Sequence, residues 1–337
     1  MVDFTTRYCG LTLKNPLVPS SGPLTGNLDD ARRLEDAGAA ALILPSLFEE
    51  ELIHEQEHLH RFMDMQDIGH HEADSFLPTV HPCASRLDRM LETIVRYKQS
   101  LSIPVVASLN GVTDSGWIEY AQDLQAAGCD AIELNLFGVE PGVETRSEMV
   151  EERYLTLVSH LAGSVQIPCV AKLSNQFSGV VSFVSRLEQA GAAGVSVFNR
   201  FYQPDIDLET LQIRPQLSLS SVQDTLLRIR WIAMIRPHVG LTLSANGGFH
   251  GFQDVMKALL AGADVVHLCS VLLKAGPEVI GTILEDMGCW MTEKEYTSVQ
   301  QLQGSLSYRN AANPEGYERA NYMDVLDSYT SSRGVRV

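Results

Sequence analysis

The sequence predicts an α/β fold, a (β/α)8 TIM barrel, from a phrase that recurs at the ends of amphipathic segments and from a count of eight short apolar runs. The phrase reads DAGAAALIL at 36–44, AAGCDAIEL at 126–134, QAGAAGVSV at 189–197 and LAGADVVHL at 260–268. Each copy closes a helix-period stretch with a glycine suited to the left-handed position past a helix end (Gly38, Gly128, Gly191, Gly262). A short apolar run opens two or three residues later, which is the pattern of a helix-to-strand junction.

The alternate strands come from SIPVVASL at 102–109, QIPCVAKL at 166–173 and GLTLSA at 240–245, where Pro or Gly again precedes a buried run. In chain order the strands fall at 17–20, 41–44, 105–109, 131–135, 169–173, 194–198, 241–245 and 265–268. Helical patterns alternate with them: LDDARRLEDA, SRLDRMLETIVRYKQ, WIEYAQDLQAA, ERYLTLVSHLA, VVSFVSRLEQA, TLLRIRWIAMI and FQDVMKALLA. Near-continuous apolar strands between helices indicate a parallel sheet covered on its faces. A closed barrel is preferred to an open doubly wound sheet because eight strands are present and no G-x-G-x-x-G follows the first.

Residues 1–303 are read as one barrel. Two stretches exceed simple connections, 47–84 after the second strand and 200–219 after the sixth, and both follow strand C-terminal ends, which makes them candidate lids or oligomer contacts. Residues 304–337 read as an irregular tail.

Composition narrows the partners. Of 337 residues 45% are hydrophobic, and no apolar run approaches the roughly 20 residues of a membrane span. The first residues, MVDFTTRYCGLTLKN, carry no secretory or transit signal, so the expected compartment is the cytoplasm. A formal charge of −17 repels polyphosphate backbones and anionic lipid, which excludes nucleic acid and membrane as partners. The six cysteines form no C-x-x-C pair and no iron–sulfur spacing, so electrons handled here leave by a soluble acceptor or a redox protein partner.

In a barrel the strand C-terminal ends aim side chains at a common site. Here they read Ser20-Ser21-Gly22, Pro45-Ser46, Ser108-Leu109-Asn110, Asn135, Lys172, Asn199, Asn246-Gly247-Gly248 and Cys269-Ser270. The paired glycines after the seventh strand let backbone N–H groups approach an anion, and with Ser270 after the eighth they form a barrel phosphate site. Lys172 would stabilise negative charge on a bound ring, and Asn135 and Asn199 would present amides to a planar heterocycle.

NPLVPSSG, SLNG, IELNL, KLSN, the Asn199 position, ANGGF and GADVVHLCSVLLKAGP resemble, in order and spacing over residues 10–290, the dihydroorotate dehydrogenase family, in its class 1 form. The resemblance implies an FMN-binding barrel that oxidises dihydroorotate to orotate in pyrimidine biosynthesis by hydride transfer to flavin N5, and implies a homodimer. It places Ser20, Ser21 and Gly22 against the flavin, and Ser46, Asn110, Asn135 and Lys172 near its ring or ribityl chain. Gly247, Gly248, Cys269 and Ser270 would hold the phosphate, and Asn135 and Asn199 would reach the substrate.

The chain departs from the family pattern at the chemistry. Pro45 stands where the family has a lysine, and Asn135-Leu136-Phe137-Gly138-Val139-Glu140 replaces N-x-S/C-x-P-N, so that Gly138 takes the place of the Ser/Cys base. Losing that base would cost about 10²–10⁴ in rate. Glu140 is a candidate replacement, and Arg200 follows Asn199 where a small hydroxyl residue is usual. The substitution at Gly138 keeps a second function in view, a non-catalytic or partner-dependent flavoprotein subunit. A third is a phosphate-binding barrel lyase or aldolase using Lys172 as a Schiff-base nucleophile.

His54-Glu55-Gln56-Glu57-His58 matches H-E-x-x-H, a zinc-hydrolase pattern. Its charged flanks and Arg61 three residues on lack the extended form, so it is read, with His60, His70, His71 and His81, as part of a solvated acidic and His-rich insertion, and no metal is expected.

Overall fold

A computed structural model describes residues 2–55, 85–111, 117–200 and 202–328. Thirteen strands lie among the described residues. They are β1 (Thr6–Tyr8), β2 (Leu11–Leu13), β3 (Leu17–Pro19), β4 (Leu42–Ile43), β5 (Leu47–Phe48), β6 (Val105–Asn110) and β7 (Ala131–Leu136). The rest are β8 (Cys169–Leu173), β9 (Gly194–Val197), β10 (Asp205–Asp207), β11 (Gln212–Arg214), β12 (Thr242–Asn246) and β13 (Val265–Leu268).

Eight of them form the parallel wall, in the order β3-β13-β12-β9-β8-β7-β6-β4. The ends meet where the Ala40 N–H donates to Leu17 O at 3.0 Å, closing the barrel. All eight predicted strands are present. β4 is shorter than predicted, and β6 is continued instead by β5, through Leu47↔Leu109. Pro45 explains the break, since it has no N–H to donate to the ladder between them.

The helices follow their predicted patterns. Ser85 caps the helix Arg86–Ser100: Asp88 N–H donates to Ser85 Oγ at 3.0 Å, and Ser85 N–H donates back to Asp88 Oδ2 at 3.0 Å. Its buried face is Met90, Ile94 and Tyr97, residues spaced four and three apart. Each of the four recurring glycines has positive φ, between 98° and 122°. At Gly262 the requirement is also spatial, because a Cβ would lie 2.6 Å from the Arg236 side chain.

The antiparallel hairpin of β1 and β2 plugs the end of the barrel opposite the strand C-termini. Its Tyr8 and Leu13 pack against Val18, Ile43, Val106, Val170 and Val265, a dry apolar layer. A larger core lies between the wall and the helices. With the lower end sealed by hydrocarbon, ligands can enter only at the C-terminal mouth.

Two connections differ from expectation. The stretch 200–219, expected as a loop, contains the β10–β11 hairpin, registered by Ile206↔Ile213 and by ion pairs from Arg214 to Asp205 and Asp207. The stretch after 303, expected as irregular, is strapped to the barrel: Gly304 N–H donates to Leu259 O at 2.9 Å and Tyr308 N–H to Ala233 O at 3.0 Å. It then forms the helix Ala320–Ser328. Most of the insertion 47–84, including His58 of the H-E-x-x-H match, lies outside the described residues. Among the described residues no helix is long and apolar enough to cross a membrane.

Candidate active site

Strand register brings the predicted residues together. Asn110 pairs with Asn135, Asn135 with Lys172, and Lys172 with Ser196 on successive strands β6, β7, β8 and β9. Above them runs a chain of hydroxyls and amides. Ser46 Oγ lies 2.8 Å from Ser108 Oγ and 3.4 Å from Ser21 Oγ. Asn135 Nδ2 donates to Ser46 Oγ at 3.2 Å, and Asn199 Nδ2 donates to Asn135 Oδ1 at 3.3 Å. Asn135 thus joins opposite sides of the mouth. Ser20 and Gly22 sit at the adjacent end of β3, where Ser20 N–H donates to Leu268 O at 2.8 Å and a Cβ on Gly22 would lie 3.1 Å from Cys269 Sγ.

A second cluster forms at the ends of β12 and β13. Gly247 and Gly248 have φ of 98° and 96°, a conformation that sidesteps the Cβ clash only in glycine. The Gly248 N–H donates to Ser220 Oγ at 3.2 Å, while the Ser220 N–H and hydroxyl donate to Ser270 Oγ at 3.1 and 2.7 Å. The Ser220 carbonyl accepts from His250 Nε2 at 2.8 Å and from Lys274 Nζ at 3.3 Å. Sequence reasoning missed Ser220, because its contact with Ser270 spans 50 residues and no local pattern encodes it.

Lys172 faces inward rather than standing free at the mouth. Its Nζ donates to Glu133 Oε1 at 3.0 Å, with side-chain exposures of 6% and 0%. His267 Nδ1 lies 3.9 Å from Glu133 Oε2 and 3.4 Å from Ser196 Oγ. Glu133 Oε2, His267 Nε2, Ser244 Oγ and Tyr8 OH are buried and have no hydrogen-bond partner among the described residues. The barrel therefore holds a polar layer between its apolar plug and its mouth. Sequence reasoning missed Glu133 and His267 because alternation on a buried parallel strand shows which residues face inward only when the register is known.

Burial, seconded by Lys172 and opposed by Glu133, pushes the His267 imidazole down from 6.5 to about 4. A depressed folded pKa means that the unfolded chain binds the proton first as pH falls. Stability from this group is therefore present above pH 6.5 and lost between there and about pH 4, at about 1.4 kcal/mol per pH unit, roughly 3 kcal/mol in all. Urea unfolding across that window is expected to show a shallower loss for His267→Gln than for the parent chain. Equal slopes would refute a neutral buried imidazole.

Gly138 and Glu140 line a cavity of about 230 Å³ with Tyr154, Ser174, Gln176 and Phe177. Glu140 is held there by Arg153, whose guanidinium lies over the Tyr154 ring at 5.4 Å. The Glu140 carboxylate is thus engaged in an ion pair rather than free in the cavity. Among the described residues no group of three His, Cys, Asp or Glu side chains is placed to hold a metal.

A sequence profile described as dihydroorotate dehydrogenase matches residues 82–291. The chain is 26% identical over 316 residues to dihydroorotate dehydrogenase B (NAD(+)), catalytic subunit, of Thermoplasma acidophilum, covering 90% of this chain and 99% of that one. It is 27% identical over 290 residues to dihydroorotate dehydrogenase A (fumarate) of Lactobacillus delbrueckii subsp. bulgaricus, covering 80% and 88%. Against the B-type catalytic subunit of Geobacillus kaustophilus it is 26% identical over 295 residues, covering 82% and 87%.

Proposed function

Because the chain belongs to the dihydroorotate dehydrogenase family, we propose that it is an FMN-dependent oxidoreductase acting on the CH–CH bond of a dihydropyrimidine ring, with dihydroorotate as the substrate. The observation that carries this reading is the pairing, at one barrel mouth, of an amide-and-hydroxyl network with the Gly248, Ser220 and Ser270 cluster of N–H groups and hydroxyls, which we read as an anion cradle.

The cradle suits a flavin phosphate. A Cβ on Gly248 would lie 2.6 Å from Ser221 O, so only glycine lets its N–H converge with the hydroxyls of Ser220 and Ser270. Gly247 and Cys269 flank it. Ser20, Ser21, Gly22, Ser46, Asn110 and Asn135 would hold the ring and ribityl chain, above the Lys172–Glu133 pair. FMN, when bound, supplies a two-electron acceptor for hydride. Asn135 and Asn199 orient the substrate ring through their amides, and Ser46 Oγ, accepting from Asn135, fixes which amide atom faces it.

Gly138 offers no proton acceptor, and Glu140 is tied to Arg153. These two facts favour a second reading, a partner-dependent flavoprotein subunit that completes its chemistry with another protein. A lyase using Lys172 is not supported, since a Schiff-base lysine needs a free amine and this one is committed to Glu133. The β10–β11 hairpin exposes Ile206, Leu208, Leu211 and Ile213 at 63–81%, which supports assembly, as a homodimer, through this face.

Purified protein is expected to be yellow and to bleach on anaerobic addition of dihydroorotate. A yellow protein that does not bleach would move the assignment to the partner-dependent reading, and a colourless protein that binds no added FMN would sink both.

A further inference from the structure

Register sets two opposite charges at different depths in the barrel. Glu133 and Asn135 share a face of β7, two residues or about 6.6 Å apart along the strand, and Lys172 on β8 pairs with Asn135. The Lys172 backbone therefore stands at the level of the mouth. Its ammonium reaches Glu133 Oε1, at 3.0 Å, by turning back toward the plug. The second carboxylate oxygen, Glu133 Oε2, has no hydrogen-bond partner among the described residues and lies 3.9 Å from His267 Nδ1.

The other titratable groups that face the pair are neutral near pH 7. From β13, His267 is pushed down to about 4, chiefly by burial. Burial raises the Tyr8 hydroxyl of β1 well above its ordinary value, and the thiols of Cys9 and Cys169 to about 12. Cys269, at the end of β13, is raised by burial with Lys172 opposing. The charges beneath the mouth are then those of the Glu133–Lys172 ion pair, and they sum to zero. Seen from the mouth such a pair is a dipole, whose influence falls off faster with distance than that of a lone ammonium.

We propose that Glu133 is a positioning residue that withholds the Lys172 charge from the mouth. It draws the ammonium down and cancels its charge, so that a ring bound above meets the neutral amides and hydroxyls of Asn135, Asn199 and Ser46. Accepting a hydride, two electrons and one proton, adds one negative charge to such a ring. Glu133 thereby limits how far the reduced ring is stabilised and keeps it a stronger reductant than it would be above a free ammonium. That the ring is a flavin rests on the function proposed above. Control of the charge at the mouth rests on the register and the buried pair.

Two readouts test this in Glu133→Gln, which keeps the shape and removes the charge, and in Lys172→Met, which makes the opposite change. The first needs no cofactor. Cys269 is half-buried at the mouth and feels Lys172, so the pH profile of its alkylation by iodoacetamide in flavin-free protein, followed by mass spectrometry of its peptide, reports the charge below. Glu133→Gln is expected to shift that profile to lower pH and Lys172→Met to higher pH. The second is the midpoint potential of the FMN-loaded protein. It is expected to rise in Glu133→Gln by about 30 mV or more, equivalent to tenfold in a two-electron reduction equilibrium, and to fall in Lys172→Met. Glu133→Asp, which draws the carboxylate back by one methylene, is expected to move both readouts as Glu133→Gln does, by less, and gives the comparison where Glu133→Gln does not fold. Readouts that neither Glu133 variant moves, or shifts of the same sign in Glu133→Gln and Lys172→Met, would overturn the proposal, since mere loosening of the layer acts one way in both. A thiol profile that moves while the potential does not would overturn the effect on the ring. A thiol response in a protein that takes up no FMN would leave the control of charge by Glu133 standing and remove the flavin reading.

Discussion

Glu133→Ala is expected to lower the free energy of unfolding by about 3–5 kcal/mol, the cost of leaving one member of a buried ion pair without its partner. The Lys172 ammonium sits 3.0 Å from Glu133 Oε1 with almost no exposure. Its remaining charged and polar neighbours offer no second carboxylate: His267 is neutral near pH 7, and Ser196 and Cys269 carry no charge there. Chemical denaturation provides the check. Removing both charges together, as in Glu133→Leu with Lys172→Met, is expected to recover most of the loss, because two well-packed apolar groups replace a pair whose desolvation offsets much of its attraction. A single-variant loss under 1 kcal/mol would mean that water reaches the pair and that the polar layer is not sealed from the mouth.

Gly248→Ala is expected to weaken FMN binding by about tenfold to a hundredfold, equivalent to about 1.4–2.8 kcal/mol. Two effects act in the same direction. An alanine at a φ of 96° is strained by about 1–2 kcal/mol, and its Cβ would lie 2.6 Å from Ser221 O, a backbone atom that cannot swing aside as a side-chain end can. Relief requires moving Ser221, and with it Ser220, whose N–H and hydroxyl complete the cradle with Ser270. Fluorescence titration with FMN and with riboflavin gives the answer. Selective loss of FMN affinity locates the damage at the phosphate, whereas unchanged FMN affinity would remove the cradle from the cofactor site.

The residues of the mouth were legible early because barrel topology does the gathering. Once eight strands are counted, Ser46, Asn135, Asn199, Gly248 and Ser270 must meet, whatever the details of packing, since each follows or ends a strand at the same face. The departures at Pro45 and Gly138 were also visible as letters. Their consequences were not: beyond Pro45 a second short strand, β5, takes up the pairing with β6 that β4 leaves, and Glu140, a candidate base on chemical type alone, is paired with Arg153.

By itself the sequence determined the alternation of strand and helix, the left-handed glycines at the helix ends and the membership of the mouth, because these depend on local dihedral preference and on residue order along the chain. Tertiary structure alone decided that Lys172 turns down to Glu133 instead of up to the mouth, that His267 is held neutral beside them, and that Ser220 completes the cradle. It also decided that Arg200 pairs with the Asp224 carboxylate. Each of these is a contact between residues 24 to 134 positions apart whose geometry is set by strand register and loop packing, and no periodicity along a single segment encodes the distance between two segments.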